Sequence, residues 1–249
     1  MNRVAFGEFG GRTSITSSLI RQPLSVSRAF YLDDEDPSAA TVYLQSTSGV
    51  LLASDRVCLS IGAAHGARVG VLGETSTVVH GGNRVTCAEQ HVEVVGGNGS
   101  RIDYLPSPTV VLDQAAFVNS LTVRLSGGAI AIVADGISAH GAGTGPEPGT
   151  VRSTIDVIVD GIHVWRDRAV ISPETLISQG TVAIVGCCDD ELERAVSSAN
   201  WPQTARVGVG QLPSSAGIVV RCTAQNADAV RSVQRIAALI FKEYLRSVQ

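Results

Sequence analysis

The sequence lacks the basic clusters with which proteins hold nucleic acids. Lys and Arg together number 19 against 23 Asp and Glu, which gives the 249 residues a formal net charge of −4. No run of five or six basic residues occurs. Because phosphate backbones are bound mainly through clustered Lys and Arg, we expect no nucleic-acid partner.

Long apolar runs are also absent. No uncharged apolar stretch reaches the roughly 18 residues that a membrane-spanning helix needs, and residues 1–22 contain no apolar segment of the kind found in a signal peptide. The five cysteines are an odd number without a Cys-x-x-Cys pair, which favours a reducing compartment over a secreted, disulfide-bonded protein. We therefore predict a soluble cytoplasmic protein with no membrane association.

Local catalytic motifs are missing as well. The glycine-rich stretches at 96–100 and 141–149 are followed by neither Gly-Lys-Ser/Thr nor a helix, so they form no phosphate site. Adjacent Cys187 and Cys188 are more typical of a strand end before a helix cap than of a metal site, although a reactive surface thiol is an alternative. His80 and His91 would share a metal only if their strands were neighbours. No catalytic residue is predicted. A small β-rich enzyme that uses a cysteine or histidine is kept as an alternative hypothesis.

Short runs in which apolar and polar residues alternate are abundant. They indicate strands at residues 41–47, 57–62, 67–73, 91–97, 109–115, 120–126, 153–167 and 181–186. Asp160-Gly161 between two alternating segments predicts a two-residue hairpin turn. Since no helical segment is long enough for a crossover between parallel strands, the pattern excludes a doubly wound α/β fold. It predicts a mainly β body of stacked or helically arranged strands.

The period changes near the C-terminus. From residue 227 to 248 apolar residues recur every three or four positions, which predicts an amphipathic helix with Asn226 as its N-cap. A shorter helix is predicted at 190–199 with Asp190 as its cap. With strands at 181–186 and 216–224, these helices predict an α/β appendage at residues 181–249. It would pack on a β-rich body at residues 1–180 to form one structural unit.

Four segments, residues 12–80, 97–136, 150–176 and 206–245, together resemble the urease accessory protein family UreD, called UreH in some organisms. The strongest match is Tyr104-Leu105-Pro106 followed by Thr109, and "HVWRDR" (163–168) and "GQLPSSAGIVVR" (210–221) add to it. The resemblance implies a helical stack of strands with two helices and no enzymatic activity. It also implies docking on apo-urease and Ni²⁺ delivery with the accessory proteins UreF and UreG, the latter a GTPase.

The resemblance further implies a water-filled internal nickel path with polar and acidic walls. Such a route must release its cargo, so dispersed oxygen ligands suit it better than a Cys/His cage. We therefore expect no tightly bound cofactor, only transient Ni²⁺. The candidate path residues are Glu74, Thr75, Ser76, Thr77 and Asp135, with Asp113 as a weaker candidate. The alternative for Asp113 and Asp135 is that they face water or cap turns.

The apolar stripe of the C-terminal helix also has two interpretations. Such a stripe most often holds a helix against its own domain. The alternative is that part of it, with Phe241 and Tyr244, meets a helical partner.

Several family positions differ in this chain. Ala53-Ser54 replaces a Gly pair, Leu72-Gly73 replaces a Thr pair, Val78 replaces a Lys, and residues 134–141 keep only Asp135 of a longer motif. These departures motivate a second hypothesis, a non-catalytic UreD-like binding module that serves another metalloenzyme or assembly.

Overall fold

The computed structural model describes residues 1–81, 86–112, 114–139, 150–171 and 178–248, and the described strands form two sheets. The seven-stranded sheet contains β1 (Asn2–Phe9), β2 (Arg12–Leu19), β6 (Arg56–Ala63), β9 (Ala88–Gly96), β12 (Ala116–Leu125), β14 (Thr150–Val159) and β15 (Ile162–Ile171). The eleven-stranded sheet contains β3 (Leu24–Val26), β4 (Ala40–Ser46), β5 (Val50–Leu51), β7 (Arg68–Gly73), β8 (Val78–Val79), β10 (Arg101–Leu105), β11 (Thr109–Val111), β13 (Ile130–Ala139), β16 (Ser178–Val185), β17 (Ala205–Gln211) and β18 (Gly217–Ala224).

The middle of the chain winds from one sheet to the other in successive coils. Each long strand pairs in parallel with its equivalent one coil later: β6, β9, β12 and β14 in one sheet, and β4, β7, β10 and β13 in the other. The short strands β5, β8 and β11 form a further parallel ladder, which joins the eleven-stranded sheet where β11 pairs with β13. The predicted mainly β, solenoid-like body is therefore confirmed.

The main apolar core lies between the two sheets. Alternate residues of each strand point inward, as in β6, where Val57, Leu59 and Ile61 are buried. Val71 and Val123 belong to the same inter-sheet cluster as Leu59 and Ile61. Full burial of one such aliphatic side chain contributes about 1.5–3 kcal/mol, so the alternation seen in the sequence accounts for the sheet-on-sheet packing.

The predicted hairpin at Asp160-Gly161 connects β14 and β15, which pair antiparallel. Asp160 has φ +48° and Gly161 has φ +79°. Positive φ at both central residues is the requirement of a type I′ turn, which Asp-Gly meets because glycine carries no Cβ.

Two helices pack outside the eleven-stranded sheet, α1 (Asp190–Ser197) and α2 (Ala227–Ser247). The side chain of Asn226 accepts a hydrogen bond from the Ala229 amide, so the predicted cap of α2 is confirmed. The cap predicted for α1 was wrong: Asp189, with extended backbone angles, accepts from the Glu191 and Leu192 amides. Asp190 is the first helical residue, and the capping side chain belongs to the non-helical residue before it.

The buried side of α2 covers strands β13, β16 and β18. Its residues Val230, Val233 and Ala237 form a second apolar cluster with Ile132 and Val182 of the sheet. The predicted boundary at residue 180 falls within β16, which pairs with β13 on one side and β18 on the other. Within the described ranges, no helix has both the length and the apolarity needed to cross a membrane.

Candidate functional site

A polar cavity of about 60 Å³ interrupts the apolar packing between the sheets. Part of its wall comes from residues that follow β7 and β10, at the corners where these strands end. The rest comes from residues of β3, β4, β10 and β11 and from β9, β12 and β13. The polar lining residues are Gln45, Ser46, Thr75, Thr77, Gln90, Tyr104, Ser107, Thr109, Asn119 and Asp135. Thr75 is exposed whereas Asn119 is buried, so the lining extends from the surface into the interior.

Asp135 is the carboxylate of this cavity, and both of its oxygens are held by neighbours. Asn119 Nδ2 donates to Oδ1 at 2.8 Å and Ser153 Oγ donates to Oδ2 at 2.7 Å. Gln90 Nε2 in turn lies 3.4 Å from Asn119 Oδ1. Strand register brings these groups together, because Asn119 pairs with Gln90 on one side and with Ser153 on the other. Three coils thus contribute one polar row facing Asp135 of the opposite sheet.

The electrostatics of the cavity favour the neutral form of its acids. Burial raises the pKa of the Asp135 carboxyl, although the hydrogen bonds from Ser153 and Asn119 and from the Gly136 backbone oppose the rise. The charge of Asp167 raises that pKa further. Burial, together with the negative charge of Asp135, also raises the pKa of Tyr104. A cation in this cavity would offset the cost of ionising Asp135, since an adjacent positive charge favours the carboxylate.

Comparison with known proteins shows the family. The sequence model of the family described as "UreD urease accessory protein" matches residues 2–248, nearly the whole chain. The chain belongs to the UreD family. It is similar to urease accessory protein UreD 1 of Methylorubrum extorquens, at 30% identity over 86% of this chain and 78% of that protein. UreD 1 of Methylorubrum populi is 27% identical over 96% of this chain and 86% of its own length. UreD of Mycolicibacterium gilvum is 28% identical over 87% and 84%.

The structure of this UreD family member brings some of the predicted path residues together. Thr75, Thr77 and Asp135 line the same cavity, and Asp135 is partly buried. Glu74 is exposed and accepts a hydrogen bond from Gln45 Nε2 on the outside of the eleven-stranded sheet. Ser76 is absent from the lining. Asp113 lies outside the described residues.

Sequence reasoning missed the residues that surround Asp135. Gln90, Asn119 and Ser153 join Asp135 in one hydrogen-bonded network, and Tyr104 adds a hydroxyl to the lining. The sequence did contain a signal, which was the position of Asn119 in the alternation of apolar and polar residues. Asn119 occupies an inward position of β12, between buried apolar residues of the same strand. A polar residue at an inward position of an apolar ladder marks either a buried network or a cavity.

Phe241 and Tyr244, the predicted partner contacts, lie against the molecule's own sheet. Phe241 is fully buried, with the Arg101 guanidinium 5.5 Å from its ring centroid. Tyr244 is 9% exposed, and its hydroxyl donates to the Asp189 carboxylate. Both belong to the cluster that joins α2 to the sheet.

The other candidate chemistry of this UreD family member is weak. Burial raises the pKa of both Cys187 and Cys188, which lowers the thiolate fraction that a nucleophile or metal ligand needs. His80 Nδ1 lies 2.8 Å from the Gly81 carbonyl oxygen, whereas His91 lies on β9 between Ser120 and Glu89. In the ranges that the structure describes, no group of three or more His, Cys, Asp or Glu side chains is arranged to hold a metal ion.

Proposed function

We propose that this chain is a non-catalytic urease maturation factor. In this proposal it docks on apo-urease in the cytoplasm and mediates Ni²⁺ delivery together with UreF- and UreG-like partners. Membership of the UreD family supports the urease part of the proposal. The names of the relatives, which call them accessory proteins, support a non-catalytic role.

The observation that carries the nickel proposal is the polar row facing Asp135 inside an otherwise apolar core. Burying polar groups costs free energy unless they are hydrogen-bonded, and here Gln90, Asn119 and Ser153 satisfy one another and one carboxylate. For a divalent cargo ion, oxygen and amide groups of this kind are weaker ligands than clustered thiolates or imidazoles. A cavity whose described lining contains one carboxylate therefore favours passage of the ion over retention.

The test is an Asp135→Asn variant, which keeps the side-chain shape and removes the charge. It is co-expressed with urease and its accessory proteins, and the nickel content of purified urease is measured by mass spectrometry. We expect urease that retains its binding to the variant but contains substantially less nickel. Glu93→Gln is the matched control, because Glu93 is a carboxylate paired with Arg124 outside the cavity. Normal nickel content with Asp135→Asn would contradict the proposed route.

The second candidate, a UreD-like module for another metalloenzyme, is favoured by the residue at position 73. A Cβ on Gly73 would lie 2.5 Å from the Ser107 amide nitrogen, so the side chain of the family's Thr would not fit here without a shift of backbone. A tagged pull-down from the native host, followed by mass spectrometry, separates the candidates. Recovery of urease subunits supports the first, and recovery of a different metalloenzyme supports the second.

A further inference from the structure

A groove of about 430 Å³ runs along the outside of the eleven-stranded sheet, beside α2. Its floor is one cross-strand row: Tyr43 pairs with Leu72, and Leu72 pairs with Leu105. These side chains are partly exposed because α2 covers β13, β16 and β18 and leaves this part of the sheet open. Ala238 and Leu239 of α2 form the opposite wall, and Leu239 is 59% exposed. We call this the α2 groove.

Positively charged side chains lie along one side of the apolar floor of the α2 groove. Arg231, Arg235 and Lys242 line it from one side of α2. Arg231 Nη2 donates to the Glu74 carbonyl at 3.1 Å, and Lys242 Nζ lies 3.8 Å from Asp33 Oδ2. Among the described residues Arg235 forms no ion pair. The carboxylate in the lining, Glu74, already accepts from Gln45. The groove thus carries a net positive charge over an apolar row.

A buried amide lies beside the groove, on the inner side of α2. Gln234 lines the groove and is 3% exposed, yet its Nε2 has no hydrogen-bond partner among the described residues. A buried donor without an acceptor is unfavourable and uncommon in folded proteins. This Nε2 lies on the side of Gly136 in β13, where a Cβ would come within 2.9 Å of it, so it belongs to the contact between α2 and the sheet and not to the open part of the groove.

We propose that the α2 groove binds a short segment of a partner polypeptide in which acidic and apolar side chains are interspersed. The apolar side chains would cover Tyr43, Leu72 and Leu105, and the carboxylates would meet Arg235 and Lys242. A phosphate backbone would match the charge but leave the apolar row uncovered. This inference does not depend on the nickel route, because the segment binds outside the sheets.

The groove and the inter-sheet cavity nevertheless share part of their walls. Gly73, Pro106 and Ser107 line both. These residues lie where β7 and β10 end, so a thin layer of backbone separates the outer groove from the polar interior.

The probe is a fluorescently labelled synthetic peptide with interspersed Glu and Leu, titrated with the full chain and followed by anisotropy. Counterpart peptides carry Gln or Lys in place of Glu. We expect the Glu peptide to bind with Kd below about 1 mM and the counterparts at least about tenfold more weakly. Equal binding of the Glu and Gln peptides, or absence of binding by the Glu peptide, would overturn the proposal.

Two charge-reversal variants test whether the peptide binds in the α2 groove. Arg235→Glu should weaken the Glu peptide at least about tenfold, whereas Arg206→Glu, the same charge change on exposed edge strand β17, should leave it unchanged. Equal losses in the two variants would indicate a general charge effect and reject the site. Sedimentation of the chain without peptide measures whether the chain associates with itself. Self-association that Leu239→Asp abolishes would assign the groove to a second copy and overturn the partner assignment.

Discussion

At the scale of the residue, the ionisation of Asp135 makes the free energy of unfolding depend on pH. Burial raises its pKa above the usual value of about 3.9, so folding favours the protonated form. The resulting stabilisation is complete below the unfolded-state pKa and is lost as the pH rises through the folded-state pKa. Above the folded-state pKa, the ionised carboxylate destabilises the folded state.

This gives a prediction for Asp135→Asn, which is neutral at every pH. The difference in free energy of unfolding between variant and parent should shift in favour of the variant as the pH rises from about 4 to about 7. Urea denaturation at several pH values measures it. A difference that does not change with pH would contradict the raised pKa.

Asp156 provides a control of opposite sign. Burial acts to raise its pKa, but hydrogen bonds from Arg166 and His163 outweigh that effect, so its pKa is lowered. Its stabilisation is present above the unfolded-state pKa and lost as the pH falls through the folded-state value. The Asp156→Asn difference should therefore shift against the variant as the pH rises through the acidic range to about 5, and should change little from there to about 7.

The sequence pointed to Asp135, Thr75 and Thr77 but not to the residues that hold Asp135. Period-2 alternation tells which residues share a face, whereas the partners of a residue depend on register. Asn119 meets Ser153 because β12 and β14 pair in parallel at that level. A shift of one residue would have turned one of them outward. The hydrogen-bonded row therefore could not be predicted without the register between the coils.

At the scale of the element, α2 has two sides with opposite roles. Phe241 is fully buried against the sheet, whereas Leu239 is exposed in the α2 groove. Phe241→Ala should lower the free energy of unfolding by about 3–5 kcal/mol through lost burial and a cavity. Leu239→Ala should change it by no more than about 0.5 kcal/mol. Thermal and urea unfolding of the two variants provide the measurement, and similar losses for both would contradict this assignment of sides.

The ends of helices and hairpins could be predicted where a few neighbouring residues determine them. The Asn226 cap and the Asp160-Gly161 turn followed from short-range chemistry, since each requires only a few neighbouring residues. The cap of α1 was misplaced by one residue because Asp189 and Asp190 are chemically equivalent caps. The backbone of Asp189 is extended, and that conformation decides between them.

At the scale of the whole molecule, pairing between coils sets the folding route. Leu59 pairs with Val92, and Val92 pairs with Leu121, so neighbouring strands are joined by residues about thirty positions apart. The parallel arrangement of these coils was not derivable from alternation, which is the same in parallel and antiparallel sheets. Contacts of such span require loop closure before they yield stabilisation.

Slow refolding is therefore expected. Fluorescence of Trp165 and Trp201 after dilution from urea should recover over milliseconds to seconds or longer. Light scattering should increase with protein concentration, because incomplete coils expose unpaired strand edges. Complete recovery within microseconds, with no scattering, would contradict this view of assembly.

The shared wall at Gly73 restricts how the molecule can be engineered. A side chain there would collide with the Ser107 backbone at 2.5 Å, and any shift of residues 106–107 that made room would reshape the outer groove and the inner cavity together. Asp135 and Arg235 can each be redesigned for one surface alone. Position 73 has no such freedom, so selection for a new docking partner at this wall would also be selection on the interior.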